Sequence, residues 1–258
     1  MKKFFVLILL YVFICVASSL TFMSCERPSE CIESAGATKI KDIPVEAFSK
    51  IKVYRGIEVV ITEGAETKVQ IQAGENFIND IEVKQYGNQL VFKDNSGCNW
   101  VRDYGQTKIF ITTPTLEEIY SKTDRDISSN GVLTFPNLNI ISFDRDADGE
   151  SGAGTGDFIL EINNNSLTIG NNNVSRFYLS GQTNNANFNF YFGDGRIEAQ
   201  NLVVQNIVVY HRGSNDMIVN PIQSVTGVLN STGNLILKNL PPVHTPLDAL
   251  YTGHVIYP

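Results

Sequence analysis

The chain has 258 residues, 43% of them hydrophobic and 18% charged, the balance of a folded domain with one sizeable core. A formal net charge of -7 with no basic cluster excludes nucleic acid as a partner, because neutralising phosphates takes gathered Lys and Arg. No part of the chain beyond its first residues carries a long 3.6-residue apolar period, which excludes an α-rich fold.

Lys2 and Lys3 open the chain, an apolar run follows from Phe4 to Val16, and small and polar residues lead to Phe22-Met23-Ser24-Cys25. This predicts a secretory signal over residues 1–24, the run being shorter than the roughly 20 residues a transmembrane helix needs. A small residue directly before Cys25 resembles a bacterial lipobox, with Phe22 where Leu is usual. On that reading Cys25 is acylated and the protein is held by a lipid bilayer; cleavage by an ordinary signal peptidase between Ala17 and Ser24 is the alternative.

Residues 25–39, with Glu26, Pro28, Ser29, Glu30 and Gly36, have little to bury and read as a tether. Cys15 leaves with the signal and Cys25 takes the lipid, so Cys31 and Cys98 remain to form a disulfide in an oxidising compartment. The bridge would close a loop of about 68 residues, worth roughly 4 kcal/mol on chain entropy.

Residues 40–258 read as a single domain. Its first part, 40–114, alternates with period two through Ile51 and Val53, Ile57 to Ile61, Val69 and Ile71, then Ile81 and Val83, which predicts short strands. Gly87-Asn88, between Ile81–Tyr86 and Gln89–Lys93, predicts a tight hairpin; Glu75 to Asp80 has the length of one helical turn; Lys108–Thr112 is a strand stopped by Pro114.

In residues 115–258 strand pieces of four to six residues recur at steps of roughly 20: Leu116–Tyr120, Leu138–Phe143, Leu167–Gly170, Phe188–Phe192, Ile207–Tyr210, Val225–Leu229 and Leu247–Tyr251. Gly193, Gly213, Gly233 and Gly253 are 20 apart, each with an apolar residue four positions on (Ile197, Met217, Leu237, Tyr257). The text predicts an all-β fold, a parallel β-helix or β-solenoid of about six or seven coils preceded by a small N-terminal β region. Asn163–Asn165, Asn171–Asn173 and Asn184-Asn185 suit the corners, since Asn tolerates left-handed backbone and bonds turn groups with its side chain. Pro241-Pro242 and Pro246 would blunt the last edge. The rival, an antiparallel sandwich, calls for hairpin signals that the second half lacks.

Asp124-Arg125-Asp126 and Asp144-Arg145-Asp146 are again 20 apart, with Asp148, Glu150 and Asp157 close behind. In register they would stack on one face. The plainer reading is a solvated corner in which Asp and Arg pair across coils; the sharper one is a calcium site built from Asp124, Asp126, Asp144, Asp146 and Asp148, because Ca²⁺ takes six to eight oxygens. A catalytic carboxylate, with Arg145 or Lys122 as the basic partner of a polysaccharide lyase, is the third. An EF-hand is excluded, since Thr155 stands where a bidentate Glu is required. His211, His244 and His254 have no metal-binding spacing, and Gly149-Glu150-Ser151-Gly152 is no nucleophile elbow.

Phe158, Phe177, Tyr178, Phe188, Phe190, Tyr191, Phe192 and Tyr210 could fill the interior in columns or form a platform for sugar rings; the core reading is preferred. Trp100 is expected to pack on the predicted disulfide.

Ile57-Glu58-Val59-Val60-Ile61 with Gly64, Glu75-Asn76, Cys98-Asn99-Trp100-Val101-Arg102, Ser151-Gly152-Ala153-Gly154 and Tyr251-Thr252-Gly253, in that order behind a lipobox, resemble the auto-transporter adhesin head GIN domain family (DUF2807) of Bacteroidetes lipoproteins. The resemblance spans about Ile40 to Tyr257 and implies an exported all-β protein with solenoid character and no catalytic residues. This chain departs from the pattern in having one Ser-Gly-x-Gly stretch. The expectation is therefore a non-enzymatic envelope lipoprotein, outer-membrane anchored, whose head binds a glycan or an extracellular or surface protein without a required cofactor. A lyase-like enzyme and a purely structural component are the alternatives.

Overall fold

The computed structural model describes residues 33–96, 105–145, 147–244 and 248–258. The signal segment and Cys25, Cys31, Cys98, Trp100, Asp146 and Pro246 lie outside the described residues.

The described chain is all-β. Its strands are β1 (Thr38–Ile43), β2 (Lys50–Tyr54), β3 (Ile57–Glu63), β4 (Lys68–Gly74), β5 (Ile81–Tyr86), β6 (Gln89–Asp94), β7 (Thr107–Thr113), β8 (Glu118–Lys122) and β9 (Ile127–Leu133). They continue as β10 (Asn137–Ser142), β11 (Phe158–Asn171), β12 (Arg176–Phe190), β13 (Arg196–His211), β14 (Met217–Leu229), β15 (Leu235–Leu237), β16 (Val243–His244), β17 (Asp248–Ala249) and β18 (Val255–Ile256).

Parallel pairing builds two ladders. One aligns Val59, Ile127, Phe158, Phe177, Ile197, Met217, Leu235 and Val255 on successive strands. The other aligns Leu90, Ile51, Ile119, Ile140, Ile169, Phe188 and Val209. Apart from the partly covered Val255, every one of these side chains is buried, so apolar columns running along the stack fill the space between the ladders.

The strands β11 to β14 are 13 to 16 residues long, longer than the four to six expected, because each crosses both ladders. The alternation shows where they bend. In β11 the buried set Phe158, Leu160, Ile162 gives way to Leu167, Ile169, a change of parity across Asn163–Ser166 that turns the inward face around a corner. In β12 the same switch falls at Asn184-Asn185, between Thr183 and Ala186.

The asparagines are at corners, as the composition indicated, but not for their backbone tolerance: among the described residues only glycines have positive φ. They act through side chains instead. Asn184 Nδ2 donates to Asn165 Oδ1 at 3.1 Å, Asn206 Nδ2 to Asn185 Oδ1 at 3.3 Å and Ser224 Oγ to Asn206 Oδ1 at 2.8 Å, tying each corner to the next.

The N-terminal strands are built into the same stack rather than set before it. β2 pairs in parallel with β6 and β8, and β3 with β7 and β9. Antiparallel strands finish this end: β4 lies between β1 and β7, and β5 folds onto β6 through Gly87-Asn88, with Gly87 at φ 60° as the two-residue turn requires. Residues 75–80 form a hydrogen-bonded turn, and the amides of Glu75 and Asn76 donate to the carbonyls of Ala37 and Ala35.

The glycine repeat shifts register in its last copies. Ile197 and Met217 align four residues past their glycines, but Met217 then pairs with Leu235, and Leu235 with Val255, two residues past theirs. Leu237 pairs with Val219, and Tyr257 is exposed.

Candidate functional site

Residues between the inward positions of the second ladder point outward. Lys52, Tyr120, Ile141, Gly170, Asn189, Tyr210 and Val228 form one such column in register. Beside it, just past the ends of β10 and β12, stand Phe143 and Tyr191. The rings connect: Tyr120 to Phe143 edge-on at 6.5 Å, Phe143 to Tyr191 at 5.7 Å and 74°, Tyr191 to Tyr210 at 5.8 Å. A Cβ on Gly170 would come within 3.2 Å of the Phe143 ring, so the missing side chain lets that ring lie close against the sheet.

Sequence reasoning set eight aromatics between core and platform, and the structure divides them. Phe158, Phe177, Phe188 and Phe190 are fully buried, whereas Tyr191, within the stripe, is 42% and the neighbouring Phe192 57% exposed. Tyr178, also exposed, lies on the other ladder. Tyr120 and Phe143, which complete the stripe, were not singled out; their step of 23 residues hides the pairing that joins them.

At the β2–β8 end the stripe meets a lysine cluster. Lys93 Nζ sits 4.5 Å from the centre of the Tyr54 ring, Lys52 and Lys122 at 5.3 and 5.4 Å, and Lys52 5.0 Å from the Tyr120 ring. Asp148 comes in from the loop after β10. Its carboxylate accepts hydrogen bonds from Lys52, from the Tyr54 hydroxyl, from Lys122 at 2.8 Å and from the Glu150 amide at 2.8 Å. Lys122, whose side chain is wholly buried, also donates to the Glu150 carbonyl at 2.6 Å, and Lys93 pairs with the Glu150 carboxylate at 2.6 Å. Burial and the bond to Asp148 push the Tyr54 phenol up to about 12. A cavity of about 270 Å³ opens here between Tyr54, Tyr86, Lys84, Lys93 and Asp148.

The described acidic residues among those expected to stack are dispersed. Asp124 Oδ1 accepts from the Gly56 amide at 2.8 Å and so locks the β2–β3 turn. Asp126 Oδ1 accepts from the Asp157 amide at 3.0 Å, and Asp157 in turn from the Arg176 amide at 3.2 Å; burial raises the Asp157 pKa. The Asp144 amide donates to Asn172, and Asp148 faces the lysines. Two causes are visible: β8 and β10 pair with Ser121 opposite Ser142, a step of 21 rather than 20, and the loop 143–157 then carries the later carboxylates away. Among the described residues no three His, Cys, Asp or Glu side chains gather where one metal ion could be held.

The profile of the family described as "Putative auto-transporter adhesin, head GIN domain" (DUF2807) matches residues 47–241, and the chain belongs to that family. Among solved structures, a putative adhesin of Bacteroides fragilis superposes with a TM-score of 0.74 at 23% identity, covering 88% of this chain and 100% of that one. A putative adhesin of Parabacteroides merdae gives 0.59 at 15% identity over 86% and 97% of the two chains. A putative lipid binding protein of Parabacteroides distasonis gives 0.56 at 13% identity over 86% and 94%. These identities make the likeness one of fold. No curated protein sequence matches the chain.

Proposed function

We propose that this member of the head GIN domain family is the binding head of a cell-envelope lipoprotein, engaging a glycan or other surface polymer without catalysis. The observation that carries the reading is the aromatic row from the buried Tyr120 through Phe143 and Tyr191 to Tyr210, rigidly spaced by the ladder beneath it, with Tyr191 and the adjacent Phe192 exposed. Aromatic faces present flat apolar surface at little conformational cost, and contacts repeated along a rod gain strength together. Acylation of Cys25 would hold the stack at the outer membrane, each buried CH₂ contributing about 0.8 kcal/mol, and a Cys31–Cys98 disulfide would tie the tether to the domain.

The test is a screen of the purified full chain in detergent against glycans and matrix proteins, with calcium and with chelator. Saturable binding that Tyr191→Ala with Phe192→Ala removes, in a protein that melts as wild type does, supports the reading. Binding that requires calcium and fails in Asp144→Ala with Asp146→Ala would move the site to the acidic loop, and turnover of a bound polysaccharide abolished by the same pair would make the protein a lyase. Silence throughout would leave a structural envelope component.

A further inference from the structure

The first ladder carries a second recess, on a different face from the aromatic stripe. Its floor is Ile159 on β11 and Tyr178 on β12, directly opposite each other in register and 48% and 41% exposed, while their chain neighbours Phe158, Leu160, Phe177 and Leu179 are buried. Both flanking strands bulge beside this pair. On β9, Ser128 lies opposite Ile159 but Val132 opposite Glu161, so β9 carries two extra residues there, and Gly131 takes φ 93° to accommodate them. On β13, Glu198 lies opposite Tyr178 but Asn201 opposite Ser180, one extra residue, and toward β14 the mismatch grows to three, from Glu198–Ile218 to Val203–Asn220. A bulge bends its strand and re-aims side chains, and bulges concentrate beside binding sites.

The result is a groove about two strands wide, on the order of 10 to 15 Å between its walls at the usual strand spacing. It encloses about 330 Å³, at the low end of small-ligand sites, about 300–1,000 Å³. Its rim is polar: Glu161 and Ser180 stand on the floor strands, Gln200 and Asn201 on the β13 bulge, and both bulge residues are exposed. Glu198 is held by Arg196 at 2.5 Å, which leaves the groove's own lining with carboxylates, amides and hydroxyls and no Lys or Arg.

From this geometry we infer that the groove is a binding site for one or two neutral sugar units. The Tyr178 ring and Ile159 receive the apolar face of a pyranose, and the amides of Gln200 and Asn201 with the Glu161 carboxylate take its hydroxyls. With Arg196 already engaged by Glu198, the Glu161 carboxylate and the lack of Lys or Arg in the lining disfavour uronate or sulfated sugars in a chain of net charge -7.

The experiment is isothermal titration of the full chain in detergent with cello- and manno-oligosaccharides, against oligogalacturonate as the acidic control. Binding of a neutral oligosaccharide that weakens about tenfold or more in Tyr178→Ala, is retained in Tyr178→Phe and weakens in Gln200→Ala is the expected result. Gln200 is exposed, so its variant keeps the test decisive if Tyr178→Ala fails to fold. The inference is overturned if no neutral probe binds, if Tyr178→Ala and Gln200→Ala bind as wild type does, or if the acidic control binds as well as the neutral ones. Tyr191→Ala with Phe192→Ala leaves this binding intact, which separates the groove from the aromatic stripe.

Discussion

Phe158 and Phe177 lie face to face, their ring centroids 4.8 Å apart and their planes 7° from parallel. They hold the same register position on β11 and β12, so the ring separation is the spacing of the strands that carry them, about 4.8 Å. Phe190 leans on Phe177 from the second ladder at 5.6 Å, and His211 stands edge-on to Phe190 at 6.0 Å, so the rings span the interior between the two faces.

Removing a ring from this column leaves a void that rigid neighbouring rungs cannot close. Phe177→Ala is expected to cost about 3–5 kcal/mol and Phe177→Leu less, read from urea unfolding midpoints. A loss below about 1 kcal/mol in the alanine variant would mean that the column is not what holds the stack together.

Gly181, at φ 98°, has no room for a side chain: a Cβ would lie 2.1 Å from the Ile162 carbonyl oxygen on the strand below. Gly87, at φ 60°, has nothing within 4 Å. Gly181→Ala should therefore lower the melting temperature by many degrees, whereas Gly87→Asn, at a turn position that accepts Asn, should barely move it. Equal shifts in the two variants would show that backbone conformation rather than contact with the next strand governs both sites.

Lys122 is buried and bonded to both Asp148 and Glu150, pinning the loop after β10 onto β2 and β8. Lys122→Ala leaves a part-buried carboxylate without this cation and should destabilise by about 3–5 kcal/mol, while Lys122→Met, which fills the space, costs less when paired with Asp148→Asn. A double variant as unstable as Lys122→Ala alone would argue that the hydrogen bonds Lys122 donates, not the empty space or the unpaired charge, are at stake. Chemical denaturation of the three variants decides between them.

His211 is inside the stack, where the Gly213 amide donates to Nδ1 and Nε2 faces the Asn215 carbonyl at 2.8 Å, the pattern of a neutral ring protonated at Nε2. Burial holds its pKa below the usual histidine range. The folded state thus binds fewer protons than the unfolded one wherever the unfolded imidazole is charged. This contribution is fully present above about pH 6.5 and is lost as pH falls through that value toward the folded pKa, at up to about 1.4 kcal/mol per pH unit. Urea unfolding at pH 7.5 and pH 5.5 should show the loss, and His211→Gln should flatten it; an unchanged slope in the variant would assign the acid sensitivity elsewhere.

The period-two runs at Ile57–Ile61 and Lys108–Thr112 and the Gly87-Asn88 turn became strands and a hairpin where they were read, because inward alternation and turn chemistry are local properties. The aromatic stripe was half legible: Tyr191 and Tyr210 were in view, but Tyr120 and Phe143 join them through pairings whose offsets are not 20. The equal spacing of the two Asp-Arg-Asp triplets is no guide to register for the same reason in reverse, since β8 and β10 pair at an offset of 21 rather than 20.

By itself, then, the sequence determined an all-β chain with apolar residues facing inward at a repeating step, for alternation and burial follow from the order of residues along each strand. Only the tertiary structure decided which strands became neighbours: that Lys52 meets Asp148, 96 positions away, and that bulges on β9 and β13 open beside Ile159 and Tyr178. Pairing register is a property of two segments at once, set by how many residues each corner and loop consumes, and no single segment contains that count.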